Sequence, residues 1–511
     1  MIVSIAQGAV EGVEDDGVAT FRGLPYASAV GTDRFGPPRP AQGWEGLRVA
    51  DSFGPSSWQG GGGILSVLGG DDLHFDEDCL SLNVQAPIRE GSPRPVLVWI
   101  HGGGYTSGSS ATRWYDGTRL VQRGDVVVVS INYRLGALGF LWLADLGGGD
   151  RCPTSGINGL LDQVEALRWV RDNIAAFGGD PGNVTVAGES AGAMSIATLL
   201  AMPNARGLFH KAILQSGAAH NCFDPQVAAE VTSTVMAHLG VTDLDGVVAA
   251  EPRDLVAAGN KVQQAAFRDP GRLTGATGIS LAMPFQPVVD GVHLPVHPID
   301  AIAAGASVGL PILAGTTQDE WNLFRLLSPG GLDHPELLDR LDAIAGHGHE
   351  LHDAYTADDP EATPDELWSA VLTDVVFRVP AVRLLEAHVR AGRGSPDTRG
   401  YEYLFTWPTP VFGGLMGSSH ALEVPFVFDT VGLPGAELFL GAPAGPELHA
   451  LAASVQGVWL AFARTGDPSH EGLPPWPAFD PDARQVMALD LHPRVLPDPQ
   501  RRRLACWDGL R

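Results

Sequence analysis

The sequence predicts an α/β fold built around a mostly parallel β-sheet. The first observation is a series of short apolar runs, most of them bounded by Gly, Pro or Asp. The second is the helical spacing between these runs, as in residues 159–177, where apolar residues recur every three or four positions. Strands that are apolar on both faces and separated by helices are typical of parallel sheets. The predicted strands are residues 95–100, 126–131, 183–187, 211–214 and 310–314.

Other patterns predict how the chain is organised around this sheet. The first 60 residues contain short alternating segments with Gly and Pro turns, which indicates an antiparallel edge. Residues 321–399 show helical patterns and few strand signals, so we expect a helical cap inserted over the sheet. Glycines at residues 60–63 and 69–70 flank a stretch that we expect to be a flexible loop. Because no repeat or linker divides the sequence, residues 1–511 are expected to form a single domain.

Charge and hydropathy exclude several classes of partner. The chain has 59 acidic and 33 basic residues, which gives a formal net charge of −26. Such a surface repels phosphate backbones and anionic membranes, so no nucleic acid and no membrane partner is expected. No apolar run approaches the roughly 20 residues that span a bilayer. The first residues lack the basic region of a signal peptide, so we expect a cytoplasmic protein, unless a signal has been trimmed away.

The pattern Gly-Glu-Ser-Ala-Gly at residues 188–192 predicts a nucleophilic serine. A G-x-S-x-G motif exposes its serine on a sharp turn only when a strand precedes it and a helix follows. The predicted strand 183–187 precedes Ser190, and Ala191–Ala201 has a helical composition. The helix N-terminus favours the negative charge that develops in acyl transfer. A second match at residues 305–309 precedes a strand, so Ser307 is interpreted as a loop serine.

A second glycine-rich pattern, His-Gly-Gly-Gly-Tyr at residues 101–105, directly follows the predicted strand 95–100. Backbone N–H groups in such a turn can converge on one point because no Cβ obstructs them. A tetrahedral oxyanion requires donors arranged in this way. An ordinary tight turn is the alternative interpretation of these residues. We interpret His101 as an orienting or packing residue rather than a base.

Five sequence blocks together resemble the type-B carboxylesterases, the family of the cholinesterases and many bacterial esterases. Residues 177–192 (FGGDPGNVTVAGESAG) are similar to the serine signature of that family over its whole length. Residues 77–84 (EDCLSLNV) resemble its second signature. The other similar blocks are FRGLPYA at 21–27, NYRLGALGF at 132–140 and NGLLDQ at 158–163. The resemblance covers nearly the whole chain and implies an α/β-hydrolase fold with long insertions.

The resemblance also implies partners for Ser190. In α/β-hydrolases the nucleophile is followed in the chain by an acid and then by a histidine. The block GTTQDE at residues 315–320 is similar to the acid motif of the family, and its glutamate is Glu320. The block GSSHALEVPFVF at residues 417–428 resembles the histidine motif and implies that His420 is the base. Asp319 remains a competing candidate for the acid.

Further site residues follow from the same resemblance. The N–H groups of Gly103, Gly104 and Ala191 are expected to form the oxyanion hole. The family commonly has glycine after the acid and often after the histidine, where this chain has Trp321 and Ala421. These departures affect the shape of the pocket more than the identity of the triad. The residues expected to contact substrate are Trp321, Phe324 and, in the loop at 412–416, Phe412, Leu415 and Met416.

The cysteines and a histidine cluster are further candidates for a disulfide or a metal site. The four cysteines are far apart and show no C-x-x-C spacing, so we expect reduced thiols. Residues 347–352 (HGHELH) contain three histidines, but they do not match H-E-x-x-H and lie in the expected cap. We therefore expect no metal site and no cofactor. The cysteines are Cys79, Cys152, Cys222 and Cys506.

The sequence therefore predicts a serine carboxylic-ester hydrolase that acts on uncharged, apolar or aromatic esters. Amide or carbamate hydrolysis by the same residues stays open, because the preference for a leaving group depends on the pocket. A non-catalytic, cholinesterase-like binding module is disfavoured because the serine, acid and histidine are all present. A nucleotide-binding protein would need a G-x-G-x-x-G or P-loop motif after the first strand, and neither occurs there. A small-molecule ester is the expected partner, and a monomer is favoured.

Overall fold

The computed structural model describes residues 1–60, 73–89, 91–147, 149, 151–268, 283–327 and 330–509. Nearly all of the predicted glycine-rich loop, from residue 61 onward, lies outside the described residues. The strands are β1 (Ile2–Ile5), β2 (Gly8–Glu11), β3 (Val13–Asp15), β4 (Val18–Pro25), β5 (Ala27–Ser28), β6 (Arg39–Pro40), β7 (Leu47–Val49), β8 (Ser81–Pro87), β9 (Arg94–Ile100), β10 (Val127–Ile131), β11 (Gly179–Glu189), β12 (Lys211–Gln215), β13 (Ile312–Thr317), β14 (Gly400–Phe405), β15 (Gln485–Leu489) and β16 (Arg494–Pro497).

In the described part of the chain, eleven strands form one sheet in the order β16-β15-β14-β13-β12-β11-β9-β10-β8-β4-β3. From β15 to β10 all neighbouring strands in this order are parallel. The outer strands β16, β8, β4 and β3 pair antiparallel. The prediction of a mostly parallel sheet with an antiparallel N-terminal edge is confirmed. One difference is that β7 pairs with β2 in parallel.

Helices cover both faces of the sheet. The α-helices are Thr118–Gly124, Gly136–Phe140, Asn158–Asn173, Ala191–Ala201, Pro225–Leu239, Leu244–Ala249, Pro252–Arg268, Pro298–Ala303, Asn322–Leu327, His334–Ala345, Gly348–Thr356, Pro364–Thr373, Val379–Ala391, Val424–Phe428, Glu437–Leu440, Pro446–Thr465 and Arg501–Ala505. A π-helical turn, Asp374–Arg378, joins two of them. No helix in the described ranges is both long and apolar enough to cross a membrane.

The strands at the centre of the sheet are buried on both faces, as their apolar sequences predict. Successive side chains of a strand point to opposite faces. In β9, Val96, Val98 and Ile100 accordingly pack into one apolar core. Leu97 and Trp99 pack into another core on the opposite face. Because water reaches neither face, the turns at the carboxyl ends of these strands are held on a rigid base.

The helices at residues 322–391 are inserted between β13 and β14. These two strands are neighbours in the sheet and pair in parallel, from Ile312 opposite Gly400 to Thr317 opposite Phe405. The chain therefore leaves the sheet after β13, forms a group of helices, and returns to the adjacent position. β13 begins two residues after the start of the predicted strand 310–314 and extends three residues beyond its end, because β14 pairs with it as far as Thr317.

Candidate active site

Ser190 lies on the sharp turn that its motif predicts. β11 ends at Glu189 and a helix begins at Ala191, so Ser190 alone makes the turn, with φ 55° and ψ −125°. Gly192 is required there, because a Cβ at this position would lie 2.0 Å from the carbonyl oxygen of Ile100. The backbone N–H of Ser190 donates to the carbonyl oxygen of Gln215 at 2.8 Å. The turn is thus fixed by its two neighbouring strands, β9 and β12.

The second serine motif has a different environment. Ser307 lies in a turn after the helix Pro298–Ala303 and before β13, so no strand leads into it. Its side chain is fully buried, and its hydroxyl is 2.8 Å from Nδ1 of His388. Burial lowers the pKa of His388 to about 4, so this histidine is neutral at pH 7. Ser307 therefore has a histidine neighbour but no exposed position on a strand-to-helix turn.

His420 and Glu320 form a short contact in the buried interior. Nδ1 of His420 donates to Oε2 of Glu320 at 2.6 Å. The other carboxylate oxygen of Glu320 accepts from the N–H of Thr317 at 2.8 Å. Asp319 is directed elsewhere, since its carboxylate accepts from the N–H of Ser418 at 2.8 Å. Glu320 is thus in contact with the imidazole, while Asp319 connects the loop after β13 to the loop that carries His420.

The second ring nitrogen of His420 is directed toward the serine turn. Nε2 lies 2.9 Å from Oε1 of Glu189, the residue before Ser190. The two atoms are close enough for an ion pair but are not aligned for a hydrogen bond. Within the described ranges, no hydrogen bond joins the hydroxyl of Ser190 to the imidazole. Such catalytic hydrogen bonds are often long or poorly aligned until substrate is bound.

Three acidic residues, Glu189, Glu320 and Glu423, determine the charge of the site that holds His420. Burial favours the neutral imidazole, but the charges of Glu189 and Glu320, together with the hydrogen bond to Glu320, outweigh it and raise the pKa of His420 well above its usual value. Burial, and then the charges of the same two glutamates, raise the pKa of Glu423 to about 8. Glu423 accepts from the side chain of Gln215 at 3.2 Å. Glu423 is therefore a neutral acid at pH 7, which limits the negative charge of the site.

The glycine-rich turn at residues 101–105 packs directly against the serine. A Cβ at Gly102 would lie 2.8 Å from the carboxylate of Glu189 and 3.0 Å from the Cβ of Ser190. Gly103 and Gly104 have φ of 112° and 60°, conformations that suit glycine. In the described part of the chain, the N–H groups of Gly103, Gly104 and Ala191 donate to no other residue. They are available to an oxygen atom bound beside Ser190.

His101 has a supporting position in the same turn. Its Nδ1 is 2.8 Å from the carbonyl oxygen of Gly102, and its ring stacks on Tyr133 at 4.6 Å between centroids. Burial lowers the pKa of His101 to about 4. A neutral, stacked ring with a backbone partner agrees with the interpretation of His101 as an orienting or packing residue.

Aromatic side chains surround the imidazole. The ring centroids of Phe324 and Phe377 lie 5.2 and 4.8 Å from that of His420. Trp321 packs on Phe324 with 4.7 Å between centroids. These rings shield His420 from water and give the adjacent space an apolar wall.

Comparisons with known proteins agree with this geometry. The profile of the Carboxylesterase family matches residues 1–507. The chain is 38% identical to para-nitrobenzyl esterase of Bacillus subtilis over 98% of this chain and 96% of that protein. It is 37% identical to phenmedipham hydrolase of Pseudarthrobacter oxydans, over 96% and 94% of the two chains. A solved carboxylesterase of Geobacillus stearothermophilus superposes with a TM-score of 0.86 at 38% identity, covering 99% of this chain and all of that one.

The chain belongs to the carboxylesterase family. Its relatives identify this carboxylesterase as a serine hydrolase with the α/β-hydrolase fold, and ester hydrolysis as its reaction. The predicted family, fold, enzyme class and reaction are thereby confirmed.

The predicted pocket residues of this carboxylesterase occupy three environments. Trp321 and Phe324 are partly buried beside His420. Phe412 and Leu415 lie on an irregular turn with 66% and 50% of their surface exposed. Met416 is buried in the apolar core on the other face of the sheet. Of these five residues, Phe324 contacts the imidazole and Trp321 packs on Phe324.

Two other groups of reactive side chains differ from the serine site of the carboxylesterase. Sγ of Cys222 lies 3.0 Å from Nδ1 of His297, whose Nε2 lies 2.9 Å from Asp224. Burial raises the pKa of the Cys222 thiol, so it is not a thiolate at neutral pH. In the histidine cluster at residues 347–352, His347 Nε2 contacts the carbonyl oxygen of Cys506 at 3.1 Å. No group of metal-ligating side chains suited to an ion occurs among the described residues.

Three residues at the site of the carboxylesterase are not predicted from the sequence. Glu189 occupies the variable position of the serine motif, and its acidic side chain was a signal that could have been used. Glu423 lies three residues after His420, in the block quoted for the histidine. Phe377 lies in the π-helical turn and carried no recognisable signal. Glu189 acts on His420 by charge and Phe377 by packing, whereas Glu423 responds to the charges of Glu189 and Glu320.

Proposed function

We propose that Ser190 is the nucleophile, His420 the general base and Glu320 the acid that orients the base. The observation that carries the proposal is the position of the imidazole. Its Nδ1–H is held by Glu320 at 2.6 Å, and Nε2 is directed toward the Glu189–Ser190 turn. Glu320 fixes the tautomer in which Nε2 is free to accept a proton. This is the relation of base to nucleophile that acyl transfer requires.

In the first half of the proposed reaction, the Ser190 oxygen attacks the ester carbonyl carbon while His420 Nε2 takes the hydroxyl proton. The carbonyl oxygen becomes an oxyanion, which the N–H groups of Gly103, Gly104 and Ala191 bind. The tetrahedral intermediate then expels the alcohol, which leaves with the proton from His420. The product of this half is an acyl ester on Ser190.

In the second half, a water molecule gives a proton to His420 and attacks the acyl carbon. The same N–H groups stabilise the second oxyanion. The bond to Ser190 breaks, the serine oxygen recovers the proton, and the acid is released. Glu189 and Glu320 stabilise the imidazolium that exists in both halves. The proposed roles require no cofactor, since every proton and electron pair comes from the ester, water, Ser190 or His420.

The proposed substrate class is an uncharged ester with an apolar or aromatic group. Trp321, Phe324 and Phe377 form an apolar wall beside the base. A charged group would lose its hydration against this wall without gaining a partner. The carboxylates near His420 also disfavour an anionic substrate. No observation favours an amide or a carbamate over an ester.

Covalent labelling and a substrate series together test this proposal. We expect an uncharged p-nitrophenyl phosphonate to inactivate the enzyme with loss of p-nitrophenol and to leave one phosphonyl group on Ser190, located by peptide mass spectrometry. An adduct on Ser307 or Cys222 would contradict the assignment. In a series of p-nitrophenyl esters, kcat/KM should be highest for uncharged apolar or aromatic acyl groups. A hemisuccinate ester that reacts as fast as its uncharged methyl ester would contradict the substrate class.

The pH profile provides a separate prediction. His420 must be neutral to accept the serine proton, so kcat/KM should rise along one acid limb. Because the glutamates raise the pKa of His420, the midpoint should lie above the ordinary histidine value of about 6.5. Glu189→Gln removes a charge that stabilises the imidazolium, lowers this pKa, and should move the limb to lower pH by about one unit or more. The measurement is kcat/KM from pH 4 to 9.

A matched control keeps this test specific. Glu361→Gln makes the same change of charge at an exposed position and should leave the acid limb unmoved. An acid limb that stays in place or moves to higher pH in Glu189→Gln would show that Glu189 does not act on the base.

The proposed organisation is a single α/β-hydrolase domain over residues 1–511 with a helical cap at about residues 321–399. The return of the chain from the inserted helices to β14, next to β13, supports an insertion rather than a second domain. We further propose that the protein is a cytoplasmic monomer. Four unpaired cysteines suit a reducing compartment, and a net charge of −26 makes copies repel one another.

A further inference from the structure

A cavity separate from the space beside His420 lies behind the loop that supports the serine turn. Its volume is about 340 Å³, within the range of roughly 300–1,000 Å³ typical of small-molecule sites. One face of the helix Val379–Ala391 forms its floor, and the chain after β12 forms its rim. The lining of the cavity includes Ala219, His220, Val382, Arg383, Glu386 and Leu504.

Arg383 is a cation on which the charges of Asp508 and Glu386 act without forming an ion pair. In the described ranges it donates a hydrogen bond to the carbonyl oxygen of Trp507, and no carboxylate lies within ion-pair distance of it. Its neighbours are paired differently, because Glu386 is bound by both Arg484 and Arg390 at 2.7 and 2.9 Å. Burial lowers the pKa of Arg383, which shows that the guanidinium loses more from dehydration than it gains from nearby charges. A guanidinium still keeps its charge at pH 7.

His220 adds a neutral donor to the same cavity. Neither of its ring nitrogens makes a hydrogen bond among the described residues, and Nδ1 is fully buried. Burial, and then the positive charge of Arg383, lower the pKa of His220 to about 4. The ring is therefore neutral at pH 7 and carries one N–H. His297, which also lines the cavity, already uses both nitrogens on Cys222 and Asp224.

The remaining wall selects against highly charged ligands. Ala219, Val382 and Leu504 present apolar surface. The carboxylates of Asp300, Glu386 and Asp508 also line the cavity, and they would repel a dianion such as phosphate more strongly than a monoanion. An arginine fork beside a neutral imidazole matches the two oxygens of a carboxylate. We propose that this cavity is a second ligand site, which binds a monocarboxylate with an apolar group through Arg383 and His220.

The position of the cavity relates it to catalysis. His220 lies on the loop that begins at Gln215, whose carbonyl oxygen holds the N–H of Ser190. Gly217 in this loop is so close to Ser190 that an added Cβ would lie 2.5 Å from the serine carbonyl oxygen. A ligand in the cavity thus touches the segment that supports the nucleophile. This inference rests on the proposed function, because the ligand belongs to the same chemical class as the acid that ester hydrolysis releases.

The test separates this cavity from the active site by blocking Ser190 with the phosphonate described above. Benzoate is then titrated into the blocked enzyme by isothermal calorimetry. We expect one bound benzoate with a Kd of roughly 0.1–10 mM, because so small a ligand has few atoms that contribute binding free energy. Arg383→Gln should weaken binding at least tenfold. Arg393→Gln, an equal charge change at an exposed site just beyond the same helix, should not alter it.

Two further binding measurements test whether the cavity recognises the carboxylate and whether benzoate occupies this cavity. Benzamide, the neutral analogue, should bind at least tenfold more weakly than benzoate. Val382→Phe should exclude benzoate by filling the cavity while leaving Arg383 intact, which covers the case of a poorly folded Arg383 variant. The proposal is overturned if the blocked enzyme binds no benzoate, if benzamide binds equally, or if Arg383→Gln and Val382→Phe bind like the unaltered protein. The blocking reaction itself tests the role of Ser190, so failure of either proposal is seen separately.

Discussion

Ser190→Ala should lower kcat for p-nitrophenyl esters by roughly 10⁵–10⁶-fold while the protein remains folded. The variant lacks the oxygen that forms the acyl-enzyme, so only binding and oxyanion stabilisation remain, which together leave about 10³–10⁴-fold over water. The fold should persist, because the turn depends on Gly188, Gly192 and the hydrogen bond from the Ser190 N–H, none of which the change removes. Steady-state kinetics and thermal unfolding measure the two effects.

Ser307→Ala is the matched control because Ser307 occupies the same position in the second G-x-S-x-G match. Its loss should leave kcat within about twofold of the unaltered enzyme. It should cost some stability instead, about 1–3 kcal/mol, since the buried His388 loses its hydroxyl partner. Activity retained in Ser190→Ala but lost in Ser307→Ala would exchange the roles of the two serines and refute the proposed mechanism.

The fold could be predicted from the sequence because its strands are buried on both faces. A strand such as β9 or β10 must then be apolar at every position, and such runs are conspicuous between helical segments. Less could be predicted at the helical insertion. The π-helical turn Asp374–Arg378 adds a residue to one turn, stabilised by a buried ion pair between its first and last residues at 2.8 Å. An inserted residue of this kind leaves the helical period of the flanking sequence unchanged, so the sequence pattern does not reveal it.

Residues of the candidate site that are local in sequence were the easiest to predict. The turn around Ser190 is specified by its own glycines and by the strand and helix on either side. Glu320 and His420 are 100 residues apart, and only the resemblance to a family indicated them together. Their contact arises because the loop after β13 and the loop after β14 end at the same edge of the sheet.

Contacts that depend on the direction in which a side chain points could not be predicted from the sequence. Nothing in the composition of residues 188–192 shows that Glu189 turns back toward His420. Phe377 reaches the imidazole through the π-helical turn, which the sequence does not reveal. The same limit applies to the predicted loop at 412–416, since an apolar residue there can face solvent like Phe412 or a core like Met416. Periodicity predicts burial in regular elements and fails in irregular turns.

His420→Ala should lower kcat by a factor similar to that of Ser190→Ala, roughly 10⁵–10⁶-fold, at every pH from 5 to 9. Without the imidazole, the serine hydroxyl has no acceptor matched to its proton. The alternatives are unsuitable, since His101 is stacked on Tyr133 and bonded to its own backbone, and a carboxylate such as Glu189 is too weak a base. Kinetics with p-nitrophenyl esters across the pH range provide the measurement.

His349→Ala is the control for this last prediction, because His349 is exposed on the helix Gly348–Thr356 and belongs to the cluster that resembled a metal site. It should change kcat by less than about twofold. Glu320→Gln should have an intermediate effect of roughly 10²–10⁴-fold, because the amide still fills the space but no longer stabilises the imidazolium or fixes its tautomer. If His349→Ala abolished activity and His420→Ala did not, the base would be misassigned. The family membership would stand, but the proton transfer would have to take a different route to Ser190.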